Sequence, residues 1–163
     1  MGAEAGAQGE SQVDLACFEV QGNVYAIDVL QVREIVRWQE VTSLPKAPGL
    51  IRGVIDLRGS VIPVVDLGSA LGEGELVATP RARIVVLEVD GLVLGLRVDA
   101  AVDVMSVEGS ALEAPPALAT QAGYDAVRAV VRRAEGPPVL VLSLEHLLES
   151  VYRSALPSQG GGA

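Results

Sequence analysis

The chain has one cysteine and one histidine in 163 residues. A lone Cys17 excludes an intrachain disulfide and any zinc site built from several cysteines, and its place at the start of an apolar strand marks it as a buried thiol. His146 lies in a terminal helical segment, Ser143 to Glu149, with no partner that would make it a general base, so it reads as an exposed or capping imidazole. The aromatic residues are Phe18, Tyr25, Trp38, Tyr124 and Tyr152, too scattered for a platform on which bases stack. Positive charge is scarce: 12 Lys and Arg against 21 Asp and Glu leave a net charge of −9. Such a surface repels a phosphate backbone, so nucleic acid is not an expected partner.

Long apolar runs are missing as well. None approaches the roughly 20 residues that a membrane-spanning helix needs, and the N-terminus carries no basic, apolar signal pattern, so the chain reads as cytoplasmic without direct membrane insertion. There is no Gly-x-x-x-x-Gly-Lys loop, no Gly-x-Gly-x-x-Gly fingerprint and no Gly-x-Ser-x-Gly elbow, and Gly72-Glu73-Gly74-Glu75 is acidic where phosphate would need positive potential. Asp99 and Asp103 read as surface charge, since a metal would want a third ligand. Neither an enzymatic activity nor a metal or cofactor is expected.

What the chain does have is a core: half its residues are hydrophobic, enough for one domain or two small ones. It is organised around Leu50 to Leu71, which reads as a β-hairpin. Ile51 to Leu57 alternates as a strand with one buried face, Arg58-Gly59-Ser60 connects it, and Val61 to Val65 returns, with Pro63 keeping that strand near an edge. Asp66 is the N-cap of a short helix starting at Leu67.

Met1 to Gln12 reads as a disordered tail, and folding starts near Val13. Leu15 to Val20 and Val24 to Val29 form a hairpin around Gln21-Gly22-Asn23. From Val29 the spacing of Val29, Val32, Ile35 and Val36 predicts a short helix with Arg33 and Glu34 off its apolar face. Thr42 to Gly49 is a proline-punctuated connection, and Gly72 to Pro80 is a loop.

Beyond that loop the sequence begins again. Phe18 to Val29 lies over Leu87 to Val98 without a gap, and the same register carries Glu34-Ile35-Val36 onto Asp103-Val104-Met105, so a second short helix is expected there. Ile51 to Ile55 matches Val127 to Val131, Ile62, Val64 and Leu67 match Val139, Val141 and Leu144, and Asp66 falls on Ser143, another N-cap residue. Two copies rich in short strands describe a mainly β chain with two packed β-barrel subdomains, about 13–79 and 80–152, some strand exchange between them being possible. Residues 153–163 read as a flexible tail.

The two-copy layout, Val32-Arg33-Glu34-Ile35, Leu44-Pro45 with Pro48 after it, and above all Gly53-Val54-Ile55-Asp56-Leu57-Arg58-Gly59-Ser60-Val61-Ile62-Pro63-Val64-Val65-Asp66-Leu67 closely resemble the CheW family of bacterial chemotaxis coupling proteins. Gly91 and Gly95-Leu96-Arg97-Val98-Asp99 follow at the right distance, so the likeness runs from about Val13 to Tyr152. It implies two five-stranded SH3-like barrels without enzymatic activity. It also implies two partners: the regulatory domain of a CheA-type histidine kinase, and the helical cytoplasmic tip of methyl-accepting chemoreceptors, held in the cleft between subdomains. Carried over by position, Arg58, Glu34, Val32, Val36 and Leu94 are the expected receptor-binding residues, and Gly53, Val54 and Ile55 the expected kinase-binding ones. The duplication separates fold from function here: Arg58 has no counterpart in Ala134-Glu135-Gly136-Pro137, whereas Glu34 recurs as Asp103, which leaves a role in the fold open, such as pairing with a cation. Gly68 stands where the family commonly has a basic residue, and it and the acidic linker bear on partner choice. The competing expectation is a sensor of small molecules with a pocket between the barrels.

Overall fold

The computed structural model describes residues 11–47, 49–117 and 126–155, without the side chains of 150–155. The expected tails, apart from their inner ends, and Pro48 and Tyr124 lie outside the described residues. The strands are β1 (Gln12–Val20), β2 (Asn23–Asp28), β3 (Val32–Arg37), β4 (Ile51–Leu57), β5 (Ser60–Asp66), β6 (Arg83–Val89), β7 (Leu92–Val98), β8 (Ala100–Glu108), β9 (Val127–Val131) and β10 (Val139–Leu142). Among the described residues, helix α1 (Leu67–Ala70) follows β5 and helix α2 (Leu144–Ala155) follows β10, the latter running past Tyr152.

The strands make two five-stranded sheets, in the orders β8-β1-β2-β10-β9 and β3-β6-β7-β5-β4. Each sheet takes the first hairpin of one sequence copy and the third strand and second hairpin of the other, so a cut near residue 79 divides the copies but passes through both sheets. The main core lies between the sheets, with Phe18, Ile27, Leu87 and Leu96 at most 2 % exposed. Smaller apolar clusters fill the inner face of each sheet, around Leu15 and Val141 in one and around Ile84 and Val64 in the other.

Three hairpins close through an X-Gly pair with both residues at positive φ: Gln21-Gly22, Arg58-Gly59 and Asp90-Gly91. Turns of this kind match the right-handed twist of the strands they join. Leu57 pairs with Ser60, so the central connection has two residues, not the expected three. Pro63 is not at an edge either, because β5 lies between β4 and β7. The proline is tolerated there because the parallel pairing with β7 starts one residue later, at Val64 opposite Gly95.

The helix expected from Val29 is a 3-10 turn, Val29–Gln31, capped by Asp28, whose carboxylate accepts from Leu30 N–H at 2.9 Å. Val32–Arg37 is a strand, and its repeat equivalent in β8 is one too. The β-branched Val32, Ile35 and Val36 favour a pleated chain, and β6 supplies hydrogen-bond partners that no isolated helix would replace. The two capping expectations hold: Asp66 accepts from Ser69 N–H at 2.9 Å, and Ser143 Oγ accepts from His146 N–H at 3.3 Å.

Candidate functional site

Strand β3 carries the site. A bulge between Val32 and Glu34 puts Val32 on one face of the sheet and Glu34 and Val36 on the other, all three half-buried, while Arg33, Ile35 and Arg37 are exposed. Val32 packs against the main core and Val36 against the inner cluster of its own sheet. Glu34 takes the place an apolar residue would occupy, and its carboxylate forms an ion pair with the Arg58 guanidinium at the tip of the β4–β5 hairpin. The fold therefore brings together the two charged residues singled out from sequence and gives Glu34 the cationic partner its recurrence left open. Arg58 itself is held at φ +52, the left-handed region that costs most residues about 1 kcal/mol or more, and its side chain remains 70 % exposed. Leu94 is different: it is 5 % exposed within the main core and supports the surface from beneath.

On the face of β3 opposite Glu34, an apolar groove of about 220 Å³ runs between the two sheets, lined by Ile35 of β3 and by Ala101, Val102 and Val104 of β8. Ile35, Val102 and Val104 are 44, 48 and 54 % exposed, far more than apolar residues facing a closed core. Sequence reasoning missed β8 here. The signal was present in the repeat, because the register that carries Glu34 onto Asp103 also carries Ile35 onto Val104 and Ala16 onto Val85, and all four of these apolar residues line the groove. Cys17 forms part of the floor; burial, and then the Asp103 charge, push its thiol pKa up, so it is an inert packing group. Asp103 accepts from the neighbouring Val104 N–H at 2.7 Å, and Asp99 from Gln21 N–H at 2.7 Å, so the two acids serve local backbone.

The second expected surface is largely internal. A Cβ on Gly53 would lie 2.3 Å from the Thr42 carbonyl oxygen, so the backbone that approaches this glycine is the chain's own and not a partner's. Val54 exchanges both backbone hydrogen bonds with Thr42, at 2.8 and 2.9 Å, which covers the edge of β4 at that point. Ile55 is 3 % exposed in the inner cluster. What the hairpin offers outward is Val54 with Pro63 opposite it and the 67 % exposed Val61 near the tip.

Gly68 and the acidic linker prove to be one feature. A Cβ at Gly68 would meet Gly74 O at 2.2 Å and Leu76 Cδ2 at 2.7 Å, so the missing side chain is what lets the linker fold back over α1. There Leu76 N–H donates to Asp66, and Glu75 lies 3.7 Å from both Arg52 and Arg97. Arg97 in turn stacks over the Trp38 ring at 4.4 Å. Gly68→Arg is expected to lift the linker and cost about 1–3 kcal/mol of stability by overpacking, read as a lower urea midpoint; an unchanged midpoint would contradict this packing account.

The sequence model of the CheW-like domain matches residues 14–152. The chain belongs to the CheW family. It is similar to the chemotaxis protein CheW of Rhizobium meliloti, 33 % identical over 142 residues that cover 87 % of this chain and 91 % of that protein. It is also 41 % identical over 99 residues to the chemotaxis protein CheW of Bacillus subtilis, covering 61 % of this chain and 64 % of the relative. Among solved structures it resembles the scaffolding protein TtCheW of Thermoanaerobacter tengcongensis, with a TM-score of 0.75 and 29 % identity over 84 % of this chain and 88 % of that one. The mainly β, two-sheet architecture is thus that of a CheW scaffold. Between the sheets the main core leaves the groove along β3 and β8 open, and the relatives are named as chemotaxis and scaffolding proteins, which does not support the small-molecule sensor. No helix among the described residues is long and apolar enough to cross a membrane.

Proposed function

We propose that this CheW-family chain is a non-catalytic adaptor that couples methyl-accepting chemoreceptors to a CheA-type histidine kinase in a chemotaxis-like pathway, working in the cytoplasm at membrane-associated receptor arrays. The observation that carries the reading is the groove between the sheets, apolar along Ile35, Val102 and Val104, with Glu34, the ion-pair partner of Arg58, next to Ile35 in β3. An amphipathic helix fits such a groove through its apolar stripe, and an arginine fork at the rim suits the carboxylates and end carbonyls of a helical hairpin tip. In this reading Glu34 holds Arg58 in place, Val32, Val36 and Leu94 support β3, and Arg58 with Ile35 and Val104 meets the receptor.

The kinase side is assigned to the outer face of the β4–β5 hairpin, Val54, Val61 and Pro63, with Gly53 and Ile55 shaping it from within. Apolar contacts are little screened by salt, so binding to a CheA-type regulatory domain is expected to change little between about 0.01 and 0.15 M ionic strength. Val61→Asp is expected to weaken it by roughly tenfold or more. Loss of binding at physiological salt with the fold intact would replace this surface by an electrostatic one. The experiment that tests the assignment as a whole is capture of the tagged chain from its native cell: a receptor and a kinase together support it, and a partner set containing neither overturns it.

A further inference from the structure

Arg37 and Arg83 stand directly opposite one another where β3 pairs with β6. Like charges in this position destabilise a sheet, and this chain has a large surplus of acids with which to avoid it. Elsewhere Arg33, Arg52, Arg58, Arg81, Arg97 and Arg132 each face a carboxylate. Arg37, by contrast, is exposed and has no hydrogen-bond or ion-pair partner among the described residues. Arg83 donates to the carbonyls of Pro80 and Ala82 at 3.0 and 2.8 Å, and no carboxylate among the described residues pairs with it. The two arginines line one cleft with Trp38, Thr79, Pro80 and Ala82.

The pair also continues the groove. Ile35 is opposite Val85, and Arg37 opposite Arg83 is the next pair on the same face of the two strands. We propose that Arg37 and Arg83 form a clamp for a carboxylate of the helical segment that occupies the groove, a proposal that rests on the groove being the receptor-binding site. Two strand residues span about 6.7 Å and a helix rises about 1.5 Å per residue, so a helix lying along β3 presents that Asp or Glu four to five residues, about one turn, from the apolar residue seated at Ile35. The chain's net charge of −9 disfavours a polyanion such as nucleic acid or an anionic bilayer, whereas a single carboxylate beside apolar residues fits a cleft that joins two arginines to an indole.

Trp38 is the chain's one tryptophan, so its fluorescence reports on this cleft. The probes are two stapled helical peptides, one with leucine followed four residues later by glutamate, the other with glutamine in place of the glutamate. The wild-type chain is expected to bind the glutamate peptide at least about tenfold more tightly. In Arg37→Gln/Arg83→Gln the two peptides bind alike, and the melting temperature is unchanged or higher because a repulsion has been removed. If the double variant folds poorly, Arg37→Gln alone carries the test, since its exposed side chain has no internal partner to lose. Equal binding of both peptides by the wild type, or a glutamate preference surviving in the variants, overturns the clamp while leaving the groove reading intact. Failure of both peptides to bind the wild type overturns the groove reading and the clamp with it. Inorganic phosphate binding as tightly as the glutamate peptide would make the pair a free-anion site and overturn the commitment to a protein carboxylate.

Discussion

Val104→Asp is expected to abolish binding of a receptor tip, by more than about a hundredfold in Kd, while the chain stays folded. Val104 lines the inter-sheet groove and is 54 % exposed in the free chain, so the substitution removes little buried area. Its cost to the fold is limited to the poorer strand propensity of aspartate, about 1 kcal/mol or less. Once a helix covers the groove, the same carboxylate is desolvated without a partner, which costs about 3 kcal/mol or more and corresponds to that loss of affinity. Ile35→Asp on the opposite wall is expected to act in the same way, because the two residues occupy equivalent places in the repeat. Calorimetric titration with a receptor cytoplasmic fragment, alongside thermal melts, measures both quantities. A folded Val104→Asp variant that binds as the wild type does would remove the groove from the account.

Arg58→Asn is expected to weaken receptor coupling by roughly thirtyfold and to leave stability unchanged or slightly raised. The ion pair with Glu34 is exposed at its Arg58 end, and pairs of that kind contribute little to stability. Asparagine also tolerates the left-handed conformation at the first position of the turn better than arginine does, so the turn itself gains. At a covered interface, truncating an arginine costs about 2 kcal/mol, whence the thirtyfold effect. Arg58→Lys is expected to restore only part of the loss, since an ammonium keeps the charge without the planar fork. Exchanging the charges in Glu34→Arg/Arg58→Glu separates the alternatives: it can rebuild the ion pair, yet coupling stays lost if the guanidinium at position 58 is what the receptor reads. Full coupling by the exchanged variant would instead assign the pair to the fold alone.

Most of this architecture was legible because local signals and the repeat agreed. The central hairpin, the Asp66 cap and the duplicated register all rest on short-range chemistry that one sequence displays. Strand β3 was misread for a physical reason: a bulge between Val32 and Glu34 breaks its alternation, and beyond it Glu34 is half-buried while Ile35 is exposed in the groove, the reverse of the usual pattern. Pro63 misled because a proline's position in a sheet depends on which neighbour strand starts where, and that is set by β7, thirty residues away. Gly53 is required by the close approach of the Thr42 backbone, a contact that only the folded connection creates. The linker shows the same limit: its acidity bears on partner choice in the sequence, and only the fold brings Glu75 against Arg52 and Arg97 over Gly68.

The central claim is that the chain links receptor to kinase and catalyses nothing itself. The most direct measurement is kinase autophosphorylation in a reconstituted mixture of receptor-containing membranes and CheA-type kinase from the same cell, with the chain present or omitted. The account predicts that receptor control of the kinase requires the chain, that it returns in proportion to added wild-type protein, and that Val104→Asp fails to restore it. Receptor-controlled phosphorylation of equal size without the chain would contradict it.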